Sequence, residues 1–558
     1  MRLASTMLQN CLLRSVLGGL LKLSTGLSPP VPVSHCCTFL RFAGSLRQSE
    51  AAVSLSEVFD QFSNANGEIS LTDFVNTLNA NGLMEGDMRL RATMNSLDNY
   101  RKAGVNTISK DEFIECTNKE FVLLKRALSN QFIIPDFEKF SGKIEDFYWQ
   151  CKSIHTGKVA TYIPQLSRYS PDYWAVSVCT IDGQRHSIGD DNVPFCLQSC
   201  AKPLAYSMAV NTLGSDIVHQ YVGQEPSGQA FNSLVLDSSN KPHNPMINSG
   251  ALIVASLLRN DLLLADRFDY FAAQSRRLAG HEYVGFHNST FLSERATADR
   301  NYALAWFMKE NKCFPEGVNM EEVLDFYFQC CSVEVTCQSA AVIAASIANG
   351  GICPTTGDRI MSSESMRNTL SLMYSCGMYD YSGQFAFKVG LPAKSGVSGC
   401  VLLVIPNVMG ICLWSPPLDH LGNSVRAVKF SEMLVSKFNF HNYDNLRHTQ
   451  TKADPRKRIL ESKINKVASM IYAAFNNDVT YLTRQNLSGL DMDQVDYDNR
   501  SALHVAASEG HLEAVIFLVE KCAVSTYQTD RWGHTPLQNA LSFGHTKVAD
   551  YLKQCPSL

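Results

Sequence analysis

A serine and a lysine lie three residues apart in the segment FCLQSCAKPLAY, which covers residues 195–206. A helix that begins near Ser199 would place Ser199 and Lys202 on one face, because residues three apart are neighbours on a helix surface. Pro203 is tolerated only near the start of a helix, so the pair is expected in the first turn, where the helix dipole is positive. A hydroxyl beside an amine in that position could act as an activated nucleophile, although S-x-x-K also occurs by chance.

Two later segments carry side chains that would complete such a site. LPAKSGVSG, residues 391–399, places a Lys-Ser-Gly triplet starting at Lys394 beside a predicted strand. This triplet resembles the K-[ST]-G strand of serine β-lactamases and penicillin-binding proteins, which faces a helix opened by S-x-x-K. SCGMYDYSGQFAF, residues 375–387, adds Tyr379 in a glycine-containing loop. The sequence has no G-x-S-x-G elbow and no G-K-[ST] phosphate loop, which argues against other common hydrolase and nucleotide-binding sites.

The composition is typical of a soluble, multidomain protein. The chain has 558 residues, 45% apolar and 18% charged, and this length predicts about two to four domains. Its net charge of −4 gives no electrostatic case for nucleic acid. The longest apolar run, residues 401–414, is broken by Pro406 and Asn407, which favours two buried strands over a membrane span. The 18 cysteines show neither C-x-x-C pairs nor zinc-site spacing, so we expect a reducing compartment, no disulfides and no metal.

The first 49 residues differ in kind from the rest of the chain. They contain five basic and no acidic residues, and residues 7–22 can form an amphipathic, arginine-bearing helix. This pattern predicts a mitochondrial transit peptide over 1–49 and therefore a location in the matrix. A secretory signal fits less well because Arg14 interrupts its apolar region, and a disordered tail is the remaining alternative.

Residues 50–140 predict an all-α module of EF-hand type that lacks calcium ligands. In DQFSNANGEISLTDF, Gly67 suits the tight turn at position 6 of a calcium loop. Position 1 would then be Phe62, which cannot ligate calcium, and a second candidate loop starting at Arg101 fails in the same way. We therefore expect the module to serve packing or assembly.

Three further regions follow this module. Residues 141–443 mix strand-like and helical segments over a length that suits one α/β enzyme domain. Residues 444–466 are basic and are more easily explained as a solvated linker than as a nuclear signal. Within 467–558, residues 501–519 match 535–552 at a 34-residue offset, with the sequence elements of ankyrin repeats. These repeats specify a fold but leave their binding partner unknown.

Long segments of the chain resemble the animal mitochondrial glutaminases of the kidney and liver types. They are VPFCLQSCAKPLAY, KPHNPMINSGA, NKCFPEGV, DFYFQCCSVEVTC, RNTLSLMYSCGMYDYSGQFAF and NFHNYDNLRH. The resemblance implies a serine β-lactamase-like α/β catalytic domain, followed by ankyrin repeats, that hydrolyses L-glutamine to L-glutamate and ammonia. It also implies no cofactor, a role for inorganic phosphate as an activator, and homodimers that pair into homotetramers or filaments.

Each candidate residue then receives a role. Ser199 would attack the side-chain carbonyl of the substrate, and Lys202, whose charged form is disfavoured by burial, would take the serine proton. The resemblance implies that Tyr379 relays this proton and that the N–H groups of Ser199 and Val397 hold the oxyanion. It assigns Glu294 to the substrate ammonium. It further implies substrate contacts from Tyr162, Gln198, Asn248, Asn301 and Tyr327, in addition to Ser199, Tyr379 and Val397.

Several alternatives stay open at this point. Asn248 in INSGA also suits a turn, and Tyr327 in LDFYFQ also suits a core. The loop 227–240 departs from the family pattern, since Gln229 and Ala230 replace larger or basic side chains. This departure leaves open the phosphate response and the distinction between kidney and liver type. A catalytically inert ankyrin scaffold, and a preference for asparagine or a small peptide amide, are the alternative functions.

Overall fold

The computed structural model describes residues 59–60, 63–64, 67–444, 452–457, 459–487 and 489–555. The predicted transit peptide at 1–49 lies outside these residues. Within the part described, no helix is both long and apolar enough to cross a membrane. The strands are β1 (Ile69–Ser70), β2 (Thr107–Ile108), β3 (Ala175–Thr180), β4 (Arg185–Gly189), β5 (Phe195–Cys196), β6 (Val284–Phe286), β7 (Val333–Val335), β8 (Ala393–Ser395), β9 (Cys400–Ile405) and β10 (Met409–Trp414).

Helices dominate the described part of the chain. Before the last strands they are α1 (Leu71–Ala80), α2 (Arg91–Lys102), α3 (Lys110–Thr117), α4 (Phe121–Leu128), α5 (Phe137–Lys152), α6 (Lys202–Leu213), α7 (Ser215–Tyr221), α8 (Asn248–Leu257), α9 (Leu264–Leu278), α10 (Asn288–Thr297), α11 (Asp299–Glu310), α12 (Met320–Cys331), α13 (Cys337–Ala348), α14 (Ser363–Cys376) and α15 (Ser382–Lys388). After the last strand they are α16 (Val425–Lys437), α17 (Ile459–Phe475), α18 (Val479–Leu487), α19 (Ala502–Ser508), α20 (Leu512–Glu520), α21 (Pro536–Ser542) and α22 (Thr546–Gln554).

The N-terminal module contains α1 to α4 and has the helical EF-hand-like arrangement that the sequence predicts. Phe74 of α1 and Phe113 of α3 pack edge to face in its core, with ring centroids 5.2 Å apart. The loops preceding these helices contribute β1 and β2, which pair antiparallel with Ile69 opposite Ile108. The sequence does not predict these two short strands. Phe62, which occupies the first position of the predicted loop, lies outside the described residues.

The central domain is built on a five-stranded antiparallel sheet with the order β4-β3-β10-β9-β8. The apolar run 401–414 forms most of β9 and β10, as predicted, and Asn407 in the intervening turn has a φ of 59°. On β9, alternate residues from Cys400 face a helical core that includes α13, whereas those from Val401 face a second core with α5 and α16. Because both faces of β9 are covered, this strand is apolar throughout instead of alternating with polar residues.

A smaller three-stranded sheet, with the order β5-β7-β6, leads the chain into the segment that contains Ser199. Phe195 of β5 lies opposite Val335 of β7. The ring of Phe195 also stacks on Trp414 of β10, with centroids 4.7 Å apart. This stacking fixes the segment after β5 against the last strand of the large sheet.

The C-terminal region consists of three helix pairs, α17–α18, α19–α20 and α21–α22, which confirms the predicted ankyrin arrangement. Ser501 and Thr535 cap α19 and α21 by the same exchange of side-chain and backbone hydrogen bonds. Gly510 and Gly544 end these helices with φ values of 74° and 79°, respectively. The 34-residue offset in the sequence therefore corresponds to a repeated structural unit.

Part of the predicted basic linker packs against the central domain. Residues 452–457 are described, and Lys452 Nζ lies 2.8 Å from Asp444 Oδ1. The Ala453 N–H donates a hydrogen bond of 3.0 Å to the carbonyl of Lys437, the last residue of α16. This short stretch is thus anchored by backbone and ionic contacts, which a fully solvated linker would lack. The exact domain boundaries stay predictions.

Candidate active site

Ser199 lies in a buried 3₁₀ turn that leads directly into α6. The turn spans Gln198–Ala201, and α-helical hydrogen bonding begins at Lys202, so the predicted helix start is displaced by three residues. Pro203 occupies the first turn of α6, where its missing N–H costs nothing. Gln198 has a φ of 49°, a left-handed conformation that a residue with a β-carbon adopts only when its surroundings impose it.

Lys202 is buried one turn after Ser199 and carries an amine whose charge is disfavoured. Its Nζ donates hydrogen bonds to Asn248 Oδ1 at 2.6 Å and to the Met246 carbonyl at 3.4 Å. Burial lowers the pKa of Lys202 to about 7, and the positive charge of Lys394 acts in the same direction. A substantial fraction of Lys202 is therefore the free amine at neutral pH, which is the form that accepts a proton.

The turn after β8 approaches the Ser199 segment very closely. A β-carbon on Gly396 would lie 2.7 Å from the carbonyl oxygen of Leu197, so only glycine allows the two segments to meet. Val397 follows in this turn. Neither its N–H nor that of Ser199 donates a hydrogen bond to a described residue. Two unpaired N–H donors on adjoining segments form the kind of site that binds a developing oxyanion.

Tyr379 contributes a buried hydroxyl to the same region. The side chain of Ser199 is near enough to lower the pKa of Tyr379, although burial has the larger effect and raises that pKa. The Tyr379 hydroxyl has no hydrogen-bond partner among the described residues. Its ring packs against Phe231 with centroids 4.9 Å apart, and Lys394 Nζ lies 4.6 Å from the ring centroid. The hydroxyl is thus placed near Ser199 but left free for a bound molecule.

A chain of polar contacts connects three of the predicted substrate-binding residues. The Tyr162 hydroxyl donates to Gln198 Oε1 at 3.2 Å, and Gln198 Nε2 donates to Glu294 Oε2 at 3.2 Å. Although 55% of the Tyr162 surface is exposed, its hydroxyl end points into the protein. Burial raises the pKa of Glu294 to about 7, against the opposing effects of Gln198 and Lys202. A ligand ammonium at this carboxylate would restore its ionised form.

Asn248 connects the other predicted residues to Lys202. Asn248 is the first residue of α8, and its Nδ2 donates to Asn301 Oδ1 at 2.9 Å. Its Oδ1 accepts the hydrogen bond from Lys202 and a longer one, of 3.4 Å, from the Tyr327 hydroxyl. The alternative of a turn residue does not hold for Asn248. Tyr327 belongs to the hydrophobic core and to this polar network at once.

These contacts bring the predicted site residues into one region of the central domain. Sequence reasoning misses the carbonyls of Met246 and Cys331, which accept hydrogen bonds from Lys202 and Gln198. A backbone carbonyl carries no residue-type signal, so a single sequence could not reveal them. Phe231 was also missed as a partner of Tyr379. Its only signal is its position in the loop 227–240, which departs from the family pattern.

A cavity of about 440 Å³ opens beside Tyr379. Its lining includes Gln229 and Phe231 of the loop 227–240, together with Met246 and Ser382. The loop that departs from the family pattern therefore borders the site instead of lying at a remote surface. A change of loop side chains would alter the wall of this cavity without touching Ser199 or Lys202.

One group of potential metal ligands occurs among the described residues. Cys196, His287 and Glu334 place one ligand atom each within 4.8 Å of one another. However, His287 Nδ1 accepts a hydrogen bond of 3.0 Å from the Thr290 N–H and thereby caps α10. The lone pair of that nitrogen is therefore in use for the helix cap, which leaves Nε2 as the remaining ligand atom of His287.

The assembled groups suit acyl transfer from an amide. Ser199 offers a nucleophilic oxygen, Lys202 a base with a lowered pKa, and Tyr379 a free hydroxyl for proton movement. The N–H groups of Ser199 and Val397 offer the electrostatic stabilisation that a tetrahedral intermediate needs. The carboxylate of Glu294 adds a partner for a cationic group of the bound molecule.

Three family models match successive parts of the chain. A glutaminase model matches residues 157–443, an EF-hand domain model matches 56–135, and a model of three ankyrin repeats matches 470–557. The matches confirm the predicted fold class, with an EF-hand-like module first, an α/β domain in the middle and ankyrin repeats at the end.

Curated proteins with similar sequences cover most of the chain. The liver isoform of mitochondrial glutaminase from Rattus norvegicus is 51% identical over 487 residues, which span 87% of this chain and 81% of the relative. Putative glutaminase 2 from Caenorhabditis elegans is 48% identical over 511 residues, or 89% of this chain and 84% of the relative. A glutaminase from Trichormus variabilis is 44% identical over 302 residues, which span 54% of this chain and 89% of the relative.

Solved structures resemble the central part of the chain. The crystal structure of Mglu in its glutamate form has a TM-score of 0.52 and 37% sequence identity, and the match covers 54% of this chain and 69% of that one. The structure of the probable glutaminase ybaS has a TM-score of 0.52 and 32% identity, with 54% of this chain and 97% of that one covered.

Proposed function

Because this chain belongs to the glutaminase family, we propose that it hydrolyses the side-chain amide of L-glutamine to L-glutamate and ammonia through a Ser199 acyl-enzyme. The observation that supports this proposal most is Lys202, a buried amine with a pKa of about 7, one turn from a buried serine. An amide is a poor electrophile, so its hydrolysis needs an activated nucleophile and a base that is unprotonated at working pH.

In the proposed reaction, Ser199 Oγ attacks the side-chain carbonyl carbon while Lys202 accepts the hydroxyl proton. The tetrahedral oxygen is held by the N–H groups of Ser199 and Val397, and losing one such donor typically costs about 3 kcal/mol of transition-state stabilisation. Tyr379 passes the proton to the leaving nitrogen, the carbon–nitrogen bond breaks and ammonia departs. Water, deprotonated by the same groups, then attacks the ester, which releases glutamate and restores Ser199.

Substrate recognition follows from the charges of a free amino acid. Its ammonium and carboxylate both lose water on binding, so each needs a fixed partner. Glu294 would accept the ammonium. The carboxylate and the side-chain amide would be held by the hydroxyls of Tyr162 and Tyr327 and by the amides of Gln198, Asn248 and Asn301. Hydrogen bonds from Tyr162 to Gln198, from Tyr327 to Asn248 and from Asn248 to Asn301 preorganise these groups.

Activity is expected to fall as the pH drops through 7, because two groups must be unprotonated. Lys202 has to be neutral to act as a base and Glu294 ionised to bind ammonium, and both have a pKa of about 7. Each group alone would reduce kcat/KM about tenfold between pH 8 and pH 6, so together they give roughly 100-fold. The measurement is a pH profile of kcat/KM at fixed ionic strength. In Glu294→Gln, the slope of log kcat/KM against pH on the acid side should fall from near two towards one. A profile without an acid limb would contradict the roles assigned to Lys202 and Glu294.

A direct substrate comparison tests the proposed function. Ammonia release from glutamine, asparagine and a small peptide amide should be measured with the full chain, with and without inorganic phosphate. Glutamine is expected to be the preferred substrate, and a pocket one methylene too long typically disfavours asparagine by about 1–3 kcal/mol. No ammonia from any amide under either condition would favour the inert ankyrin scaffold. Faster turnover of asparagine or the peptide amide would correct the substrate.

The setting of the reaction is also part of the proposal. Two observations support import into the mitochondrial matrix. Residues 1–49 contain no acidic side chain, and the chain is similar to glutaminases that are named as mitochondrial. We further propose that the enzyme uses no cofactor and that inorganic phosphate activates it. We also propose that it forms homodimers, which pair into homotetramers and assemble further into filaments. Domain limits of 50–140, 141–443 and 467–558 accord with this organisation.

A further inference from the structure

The backbone of Tyr379 adopts a conformation that its own side chain does not explain. Its φ is 53°, in the left-handed region that a residue with a β-carbon disfavours. Its hydroxyl cannot hold it there, because that oxygen has no hydrogen-bond partner among the described residues. The conformation must therefore be imposed by the groups that contact the backbone and the ring.

Ser382 contacts the backbone of both Met378 and Tyr379. Its Oγ accepts a hydrogen bond of 2.9 Å from the Met378 N–H and donates one of 2.6 Å to the Tyr379 carbonyl. Ser382 is only 6% exposed, so water does not compete strongly for either bond. One hydroxyl thus ties the backbone before Tyr379 to the backbone after it.

Asn423 adds a side-chain contact to this backbone segment, at the Met378 carbonyl, which also accepts a hydrogen bond of 3.1 Å from the Tyr381 N–H. Its Nδ2 donates a hydrogen bond of 3.3 Å to the Met378 carbonyl. Asn423 is itself fixed, because Asp419 Oδ1 accepts hydrogen bonds of 2.9 Å from the N–H groups of Leu421 and Asn423. The neighbouring Gly422 lies beside the Tyr379 ring, since a β-carbon there would be in van der Waals contact with the ring at 3.7 Å.

We propose that Ser382 and Asn423 are positioning residues for the reaction: by holding the left-handed backbone at Tyr379, they direct its hydroxyl towards Ser199. This inference rests on the proposed function, in which the Tyr379 hydroxyl moves the proton between Lys202 and the leaving nitrogen. The orientation of the Tyr379 ring is set by contacts to its backbone. Its hydroxyl oxygen therefore needs no protein partner and stays available to the substrate.

Kinetics of single variants of the full chain test the inference. In Ser382→Ala and Asn423→Ala, kcat with glutamine is expected to fall by roughly 10- to 100-fold, since a displacement of about 1 Å can cost that much. KM should change little, because Ser382 Oγ and Asn423 Nδ2 are already bonded to the backbone beside Tyr379 and neither residue is among the proposed substrate contacts. Ser382→Thr keeps the hydroxyl and should restore most of kcat. Ser431→Ala is the matched control, since it removes a buried serine bond of 2.8 Å to Ala427 on α16, away from the site.

Two further measurements separate positioning from a general loss of structure. In a Tyr379→Phe background, Ser382→Ala should cause no further loss of kcat, because the hydroxyl that it positions is already gone. A crystal structure of Ser382→Ala should show the φ of Tyr379 leaving the left-handed region. Retention of that φ together with parental kcat would overturn the inference.

The proposed function and this inference can fail separately. Full activity of Tyr379→Phe would contradict the proposed proton route, while the crystal structure of Ser382→Ala would still decide what holds the backbone. An impaired Tyr379→Phe beside fully active Ser382→Ala and Asn423→Ala would overturn only the inference. If Ser382→Ala lowered kcat by the same factor in the parental chain and in Tyr379→Phe, Ser382 would have a general structural role. That result would also overturn the inference.

Discussion

Replacing Ser199 with alanine is expected to lower kcat for glutamine by roughly 10⁴- to 10⁶-fold, because the proposed acyl-enzyme can no longer form. The neighbouring thiol of Cys200 cannot substitute, since it is fully buried and its Sγ bonds to the Lys394 carbonyl at 3.2 Å. The polar contacts of Gln198, Asn248 and Glu294 stay intact in this variant. Glutamine binding by calorimetry should therefore persist while ammonia release is lost.

The matched control for this variant is Cys200→Ala, which alters the adjacent buried side chain and leaves the nucleophile in place. It should keep measurable turnover, and both variants should melt cooperatively. Turnover by Ser199→Ala at more than a small percentage of the parental rate would rule out the serine mechanism. Loss of glutamine binding in Ser199→Ala would show that the change disturbs the pocket and not the chemistry alone.

Replacing Lys202 with methionine is expected to lower kcat by about 10²- to 10⁴-fold, the usual contribution of a positioned general base. Methionine has a similar length and carries no charge into a site where burial already disfavours the ammonium. Lys202→Arg should fail as well, because a guanidinium keeps its proton at any working pH. The measurement is single-turnover ammonia release, which follows acylation directly.

Lys241→Met provides the control for this substitution. Lys241 is partly buried and donates a hydrogen bond of 3.2 Å to the His219 carbonyl, away from Ser199. Its loss should leave kcat within a fewfold of the parent. If Lys202→Met kept comparable activity, or retained the same acid limb in kcat, another group would have to be the base.

The fold could be predicted wherever a local sequence pattern is compatible with only one type of secondary structure or repeat. The run 401–414, broken at Pro406, identifies two strands with both faces covered, and the 34-residue offset identifies stacked helix pairs. The strands β1 and β2 escape prediction because two residues are too few to show a period. The contacts of residues 452–457 escape it because ion pairing with Asp444 depends on tertiary structure.

The site was less accessible to residue-by-residue reasoning. The spacing of Ser199 and Lys202 indicates a nucleophile and its base, but Glu294 and Asn301 became candidates only through the family resemblance. A single sequence does not show which distant residues meet. It also cannot show that Gln198 and Tyr379 take left-handed backbone conformations, because glutamine and tyrosine rarely do so without tertiary contacts.

The contact between Gly396 and the Leu197 carbonyl has a consequence for biosynthesis. The two walls of the proposed oxyanion pocket come from segments about 200 residues apart, as the bond from Cys200 to the Cys400 carbonyl also shows. A nascent chain carries the serine long before the ribosome adds the glycine turn that completes the pocket. A polypeptide cleaved between these two segments would still contain Ser199. If the fragments then separated, it would lack the N–H donor from the Gly396 turn that is proposed to stabilise the oxyanion.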